Sequence, residues 1–223
     1  MERRFKNRTQ AGQLLAKRLI AYANRSEVVV LALPRGGVPV AFEVAKVLNA
    51  PLNICLVRKL GVPGHKELAM GAIAMGGVMV INEEVVKGLG ISTETINQVA
   101  LKEQKELERR ARAYRGNRQA LKIEGRKLIL IDDGIATGST LRAALATLRQ
   151  QQPAGIIVAV PVAPPSICNQ LKREIEKVVC LRTPHPLYAI GNWYEDFWQT
   201  TDQEVRKLLA QAPRGEVSVS RLG

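Results

Sequence analysis

Residues 128–141 read LILIDDGIATGSTL. Leu128 to Ile131 form a short apolar run with the pattern of a strand buried on both faces, and the run ends on two adjacent carboxylates, Asp132 and Asp133. Small residues follow, and Thr137-Gly138-Ser139-Thr140 opens a helix-period segment. In an open parallel sheet, ligands bind beyond the carboxyl ends of the strands, which is where these residues fall. The backbone N–H groups of Ala136 to Thr140, with the hydroxyls of Thr137, Ser139 and Thr140, can cradle a phosphate at the positive end of the helix, and Gly138 lets the backbone come close. Two carboxylates would repel that phosphate unless hydroxyls lay between, as they would for a ribose whose 5-phosphate fills the loop. The plainer alternative is a turn at Asp132-Asp133-Gly134 with Thr137 or Ser139 as an ordinary N-cap. A Walker A loop is excluded, because no Lys follows a glycine at the required spacing.

Working outward, short apolar runs alternate with helix-period segments. Strands are predicted at Glu27 to Leu33, Pro51 to Val57, Leu128 to Ile131, Ile156 to Pro161 and Val178 to Leu181. Helices are predicted at Val38 to Asn49, Ser139 to Gln150 and Pro165 to Glu176. This βαβ alternation predicts an α/β fold, an open and mainly parallel sheet with helices on both faces. Between the second and third strands, Met70 to Met75 and Val78 to Asn82 flank Gly76-Gly77 as a hairpin insertion. Ser92 to Gly116 follows as a long polar helix, with Ile96, Val99, Ala100, Leu107, Ala111 and Tyr114 on one stripe that Glu103 interrupts. A single domain is expected over residues 1–212. Within it, residues 1–25 form an N-terminal helical flap, with Leu14, Leu15, Leu19 and Tyr22 on one face, and 182–200 form a small hood; 213–223 are expected to be a mobile tail.

Composition narrows the classes. The chain has 223 residues, 46% apolar and 24% charged, which excludes wholesale disorder. Aromatic residues make up 4%, thin for a protein that stacks bases along a single strand. The longest uncharged stretch, Gln150 to Leu171, holds four prolines, so no membrane span is expected. No secretory signal is evident at MERRFKNR, and a cytoplasmic protein is the default. Cys55, Cys168 and Cys180 lack metal or redox spacing and are expected to be buried thiols.

The stretch LILIDDGIATGST resembles the PRPP-binding motif of the type I phosphoribosyltransferases, which transfer the phosphoribosyl group of phosphoribosyl diphosphate (PRPP) to a nitrogenous base. The resemblance extends from about Glu27 to Phe197. It implies that Asp132 and Asp133 take the ribose hydroxyls as catalytic residues and that Ala136 to Thr140 take the 5-phosphate. It also implies Mg²⁺ arriving with PRPP, a nucleobase-like acceptor and a homo-oligomer. Where 6-oxopurine members carry an Asp thought to assist base deprotonation, this chain has Ala136, as adenine-type members do.

Leu33-Pro34-Arg35-Gly36-Gly37, after the first strand, matches the family's diphosphate loop: Arg35 supplies a cation, and Gly36 and Gly37 free backbone N–H groups. Alone, the same residues would be a plain turn. Arg58 and Lys59 end the second predicted strand, and Gly61 to Lys66 follows as a loop with a faint likeness to the basic mobile loop of orotate-type members. Arg58, His65 and Lys66 are the mobile-loop candidates, and Lys59 and Arg35 are assigned to the leaving diphosphate. Tyr188-Ala189-Ile190-Gly191 is similar to the hood of purine-type members, which makes Tyr188 and Trp193 base-binding candidates and tilts the acceptor toward a purine. The alternative is a satellite core of Tyr188, Trp193, Tyr194 and Phe197. The Lys that reads the 6-oxo group in those members has no counterpart near Pro161 to Ala163.

A net charge of +13 raises a second class of function, a PRPP-sensing regulator that binds nucleic acid, as some repressors of this fold do. Residues 1–25 carry seven bases, and Arg109, Arg110, Arg112, Arg115 and Arg118 add a further run. Glu103, Glu106 and Glu108 interleave with that run, which favours a solvated helix face and an enzyme. A PRPP binder without catalysis stays open.

Overall fold

A computed structural model describes residues 3–115 and 122–213. In chain order the elements are α1 (Arg8–Arg18), β1 (Val28–Ala32), α2 (Gly37–Leu48), β2 (Leu52–Ile54), β3 (Val57–Val62), β4 (His65–Ala74), β5 (Met79–Ile81), α3 (Glu83–Gly88), α4 (Thr93–Arg115), β6 (Lys127–Ile131), α5 (Ser139–Arg149), β7 (Gly155–Val162), α6 (Pro165–Glu174), β8 (Lys177–Arg182) and α7 (Asp202–Gln211). Five strands form a parallel sheet in the order β2-β1-β6-β7-β8. The β1 run is apolar without alternation because both its faces are covered: Val28, Val30 and Ala32 join the core under α2 and α4, while Val29, Leu31 and Leu33 join the core under α5 and α6.

The direction in which the sheet is wound reverses between β1 and β6. From β1 the sheet grows one way to β2, and from β6 it grows the other way to β7 and β8. The two strands end level, with Ala32 opposite Ile131, so the segments following them open side by side at the switch point.

The second predicted strand is corrected. Pro51 to Val57 is not one element: β2 stops at Ile54, and at Val57 the chain leaves for a separate antiparallel sheet of order β3-β4-β5. Arg58 and Lys59 therefore lie inside β3 rather than at the end of a parallel strand. The loop expected over Gly61 to Lys66 is also corrected to a tight hairpin that pairs Val62 with His65. Pro63 fixes one corner and Gly64, at φ 79°, supplies the left-handed one, which is the chemistry of a two-residue turn. The hairpin around Gly76-Gly77 forms as expected, both glycines having positive φ.

In α4 the expected stripe faces inward, and the interruption at Glu103 has a partner. Its carboxylate accepts from Arg58 Nε at 2.6 Å, so the helix is pinned to β3. The cysteine expectation is corrected: Cys168 on α6 and Cys180 on β8 are joined as a disulfide, whereas Cys55 is a buried thiol. The pairing arises because α6 packs back along β8, a fold-level contact that spacing in sequence does not carry. The short α3 and α7 had no forecast.

At the N-terminus, α1 beds on α2 through Ala11, Gly12, Leu15 and Ala16, while Leu14 faces outward. A Cβ on Gly12 would stand 2.6 Å from the Val40 carbonyl oxygen and 2.9 Å from the Glu43 Cβ. Gly12→Val should therefore lift α1 from α2 and cost about 2 kcal/mol, lowering the melting temperature by about 4–8 °C in circular dichroism. An unchanged melting temperature would contradict this seating.

Candidate active site

Asp132 and Asp133 stand at the carboxyl end of β6, facing the amino end of α2. Gly36 and Gly37 make that approach sterically open. A Cβ on Gly36 would fall 1.9 Å from Asp133 Oδ2, and one on Gly37 would fall 2.9 Å from the Asp132 Cα. The glycines thus serve contact between the two segments. Gly36 is the N-cap of α2, so the carboxylates meet the positive end of a helix.

The two acids differ in surroundings. Asp132 Oδ1 accepts the backbone N–H of Asp133 at 2.8 Å. Burial, and then the charge of Asp133, push its carboxyl well above the ordinary carboxylate range. Asp133 instead has a direct counter-ion: Arg8 Nε and Nη2 both reach its Oδ2 at 2.8 Å, with side-chain exposures of 12% and 13%. The Asp133 carbonyl accepts from the Tyr194 hydroxyl at 2.6 Å. Burial, and then the Asp133 charge, raise the Tyr194 hydroxyl far above its ordinary value, so it stays a neutral donor.

The loop leading into α5 exposes Ala136, Thr137, Ser139 and Thr140 around a buried Gly138 at φ 77°. Gly138 itself is the N-cap, and no side chain caps the helix. Thr137 and Ser139 are therefore not ordinary caps. Their hydroxyl oxygens lie 3.4 Å apart on the surface that the first N–H groups of α5 also face.

Arg35 reaches Asp202 at 3.3 Å, and Tyr114 donates to the same carboxylate at 3.1 Å, so the loop after β1 is tied to α7 and α4. The Pro34–Arg35 peptide is cis. Two cavities flank this junction. One of about 320 Å³ lies between Pro34, Arg58, Lys59, Arg110 and Thr140. The other, about 490 Å³, is bounded by Arg8, Arg35, Asp133, Phe197, Gln199 and Thr200. The structure thus brings Arg35, Gly36, Gly37, Asp132, Asp133 and the loop 136–140 together, with Arg58 and Lys59 on the wall of the smaller cavity.

Other candidates fall elsewhere. His65 is exposed at the β3–β4 turn, and the side chain of Lys66 lies outside the described residues, as do Arg118 and residues 214–223. Tyr188 is 86% exposed and lines neither cavity. Trp193 sits half-buried in a 3₁₀ turn and packs with Phe5, Tyr194 and Phe197, so a satellite core forms without Tyr188. Sequence reasoning gave Arg8 and Asp202 no role at the site; it placed Tyr114 on the α4 stripe and Tyr194 in the satellite core, but neither beside the acids.

Residues 4–200 match the phosphoribosyl transferase domain model. The chain belongs to the phosphoribosyltransferase family. Its fold, with the parallel sheet and hairpin insertion, is that of the type I members. A provisionally named phosphoribosyl transferase of Mycobacterium tuberculosis, recorded in two strains, is 45% identical over 210 residues, which are 94% of this chain and 47% of that protein. The chain therefore spans about half the length of the curated relatives it matches. The crystal structure of TT1426 from Thermus thermophilus superposes with a TM-score of 0.84 at 40% identity, covering 92% of this phosphoribosyltransferase chain and 97% of that one.

Folding favours the protonated form of Asp132. Stability from this group is full below the ordinary carboxylate value of 3.8 and is lost as pH rises through the raised value of the folded chain. Asp132→Asn keeps an oxygen for the Asp133 N–H and removes the charge. At pH 7 it should melt higher than the native chain, by about 2–4 °C for each kcal/mol gained, and the difference should vanish at low pH. A lower melting temperature at pH 7 would refute the assignment.

Proposed function

We propose that this phosphoribosyltransferase chain transfers the phosphoribosyl group of PRPP to a nitrogenous base and releases diphosphate. The observation that carries the reading is the pair Asp132-Asp133 set beside the uncapped amino end of α5 at the switch point of the sheet. In this reading the exposed loop 136–140 holds the 5-phosphate on backbone N–H groups and on the hydroxyls of Thr137, Ser139 and Thr140. The carboxylates accept the ribose hydroxyls and favour positive charge as it develops at C1, while Arg35, Lys59 and Arg58 favour the departing diphosphate. Cavities lie on both sides of this junction, one lined by Arg58, Lys59 and Arg110 and the other by Arg8, Arg35, Gln199 and Thr200, and on this reading Arg35, between them, serves the diphosphate.

Among the described residues, no group of three or more His, Cys, Asp or Glu is set to hold a metal. Mg²⁺ would arrive with PRPP and would offset the charge of the leaving group. The acceptor is left to the larger cavity, and the tilt toward a purine loses its ring, since Tyr188 points to solvent. The regulator reading is weakened by local pairing. Glu106 binds Arg109 and Arg110, both at 2.7 Å, and the hydrogen bonds from Arg109 and then Arg110 hold its carboxyl down to about 2. No helix among the described residues is long and apolar enough to cross a membrane.

Mg²⁺ and PRPP together should stabilise the native chain by about 2.7 kcal/mol at a hundredfold excess over Kd, raising the melting temperature by about 5–10 °C. Diphosphate release should then depend on one member of a nucleobase panel. No shift with folded protein at millimolar PRPP would overturn the reading.

A further inference from the structure

Arg8 is the first residue of α1, yet its guanidinium lies across the molecule beside Asp133. The backbone puts it there. Phe5 N donates to the Trp193 carbonyl at 2.9 Å, Glu195 N to the Phe5 carbonyl at 2.8 Å and Asp196 N to the Lys6 carbonyl at 2.9 Å, so the residues before α1 run alongside 193–196. From that position Arg8 Nε donates to Asp133 Oδ2 and Nη1 to the Trp198 carbonyl at 2.7 Å, while Nη2 forms an ion pair with the same Oδ2. The guanidinium carbon also stands 3.9 Å from the Phe197 ring centroid.

We propose that Arg8 is a positioning residue: its hydrogen bond and ion pair aim the Asp133 carboxylate at the ribose and tie that carboxylate to the segment carrying Phe197 and Trp198. The proposal rests on the phosphoribosyl reading of the site. Both Arg8 contacts land on one oxygen, Oδ2, the one closest to Gly36. Arg8 leaves Oδ1 to other partners, and on this reading that oxygen turns to a ribose hydroxyl.

A neutral group of the same shape would not serve. Asp132 and Asp133 are adjacent acids with restricted access to water, and two such carboxyls do not ionise together without a cation. Arg8 is the cation in contact. The other charged or titratable groups facing the pair are otherwise committed: Arg35 to Asp202, Arg182 over the Phe5 ring at 3.8 Å, and the Tyr194 hydroxyl to the Asp133 carbonyl. Ribose hydroxyls donate best to ionised acceptors, so PRPP affinity should fall as the pair takes up protons, and Arg8 sets where that fall begins.

The test titrates binding of PRPP with Mg²⁺ against pH, by calorimetry, for the native chain, Arg8→Gln and Arg8→Lys. Arg8→Gln should move the midpoint of the affinity loss upward by about one pH unit, whereas Arg8→Lys, which keeps the charge, should stay near the native midpoint at reduced affinity. A native midpoint in Arg8→Gln, or an equal shift in both variants, overturns the role of Arg8. Should Arg8→Gln not fold, the affinity of Arg8→Lys for PRPP with Mg²⁺ decides: a reduced affinity supports the role of Arg8, and a native affinity overturns it. A native chain that binds no PRPP at any pH would overturn the reading of the site and this inference with it.

Discussion

The half-burial of two adjacent carboxylates, Asp132 and Asp133, is the constraint around which the rest of the molecule is arranged. Like charges on neighbouring residues repel, and restricted water makes each charge costly. Three devices offset this: the amino end of α2 facing the pair, the Asp133 N–H donated to Asp132 Oδ1, and the Arg8 guanidinium on Asp133 Oδ2. The first requires backbone contact that only glycine permits, at Gly36 and Gly37. The third requires the amino-terminal segment to cross to residues 193–196. Asp132 would be easier to bury as a neutral side chain, so the pair costs stability where it stands.

From that constraint the layout of the site follows. Because β1 and β6 are parallel neighbours that end level, the segment after each strand opens at one place, with a basic cavity on one side and a second cavity on the other. The glycines of 33–37 hold the two segments together, while Arg35 reaches away to Asp202. The antiparallel sheet serves the same junction from outside: β3 carries Arg58 and Lys59 to the wall of the smaller cavity, and Glu103 on α4 holds Arg58 there.

The cationic surface has a local explanation as well. Glu106 takes both Arg109 and Arg110, and Glu103 takes Arg58, so part of the excess positive charge is already answered within α4 and β3. Exposed pairs of this kind add little stability.

Much of this was legible in the sequence. The apolar runs at Leu128 to Ile131 and Glu27 to Leu33 required strands covered on both faces, the helix periods between them required crossovers, and the carboxylates with Thr137-Gly138-Ser139-Thr140 marked the strand end where ligands bind. These are local patterns, set by side-chain period and by the geometry of one turn. The split of Pro51 to Val57, the Cys168–Cys180 pairing, the removal of Tyr188 from the cavities and the arrival of Arg8, Tyr114 and Asp202 were not legible. Each joins residues far apart in the chain, or depends on which face of a packed element is covered. Arg8 and Asp133 are 125 positions apart, and nothing near either residue specifies the other. Local sequence determined the elements and the chemistry at their ends; only the packing of α1 on α2, and of residues 5–6 beside 193–196, decided which distant side chains complete that chemistry.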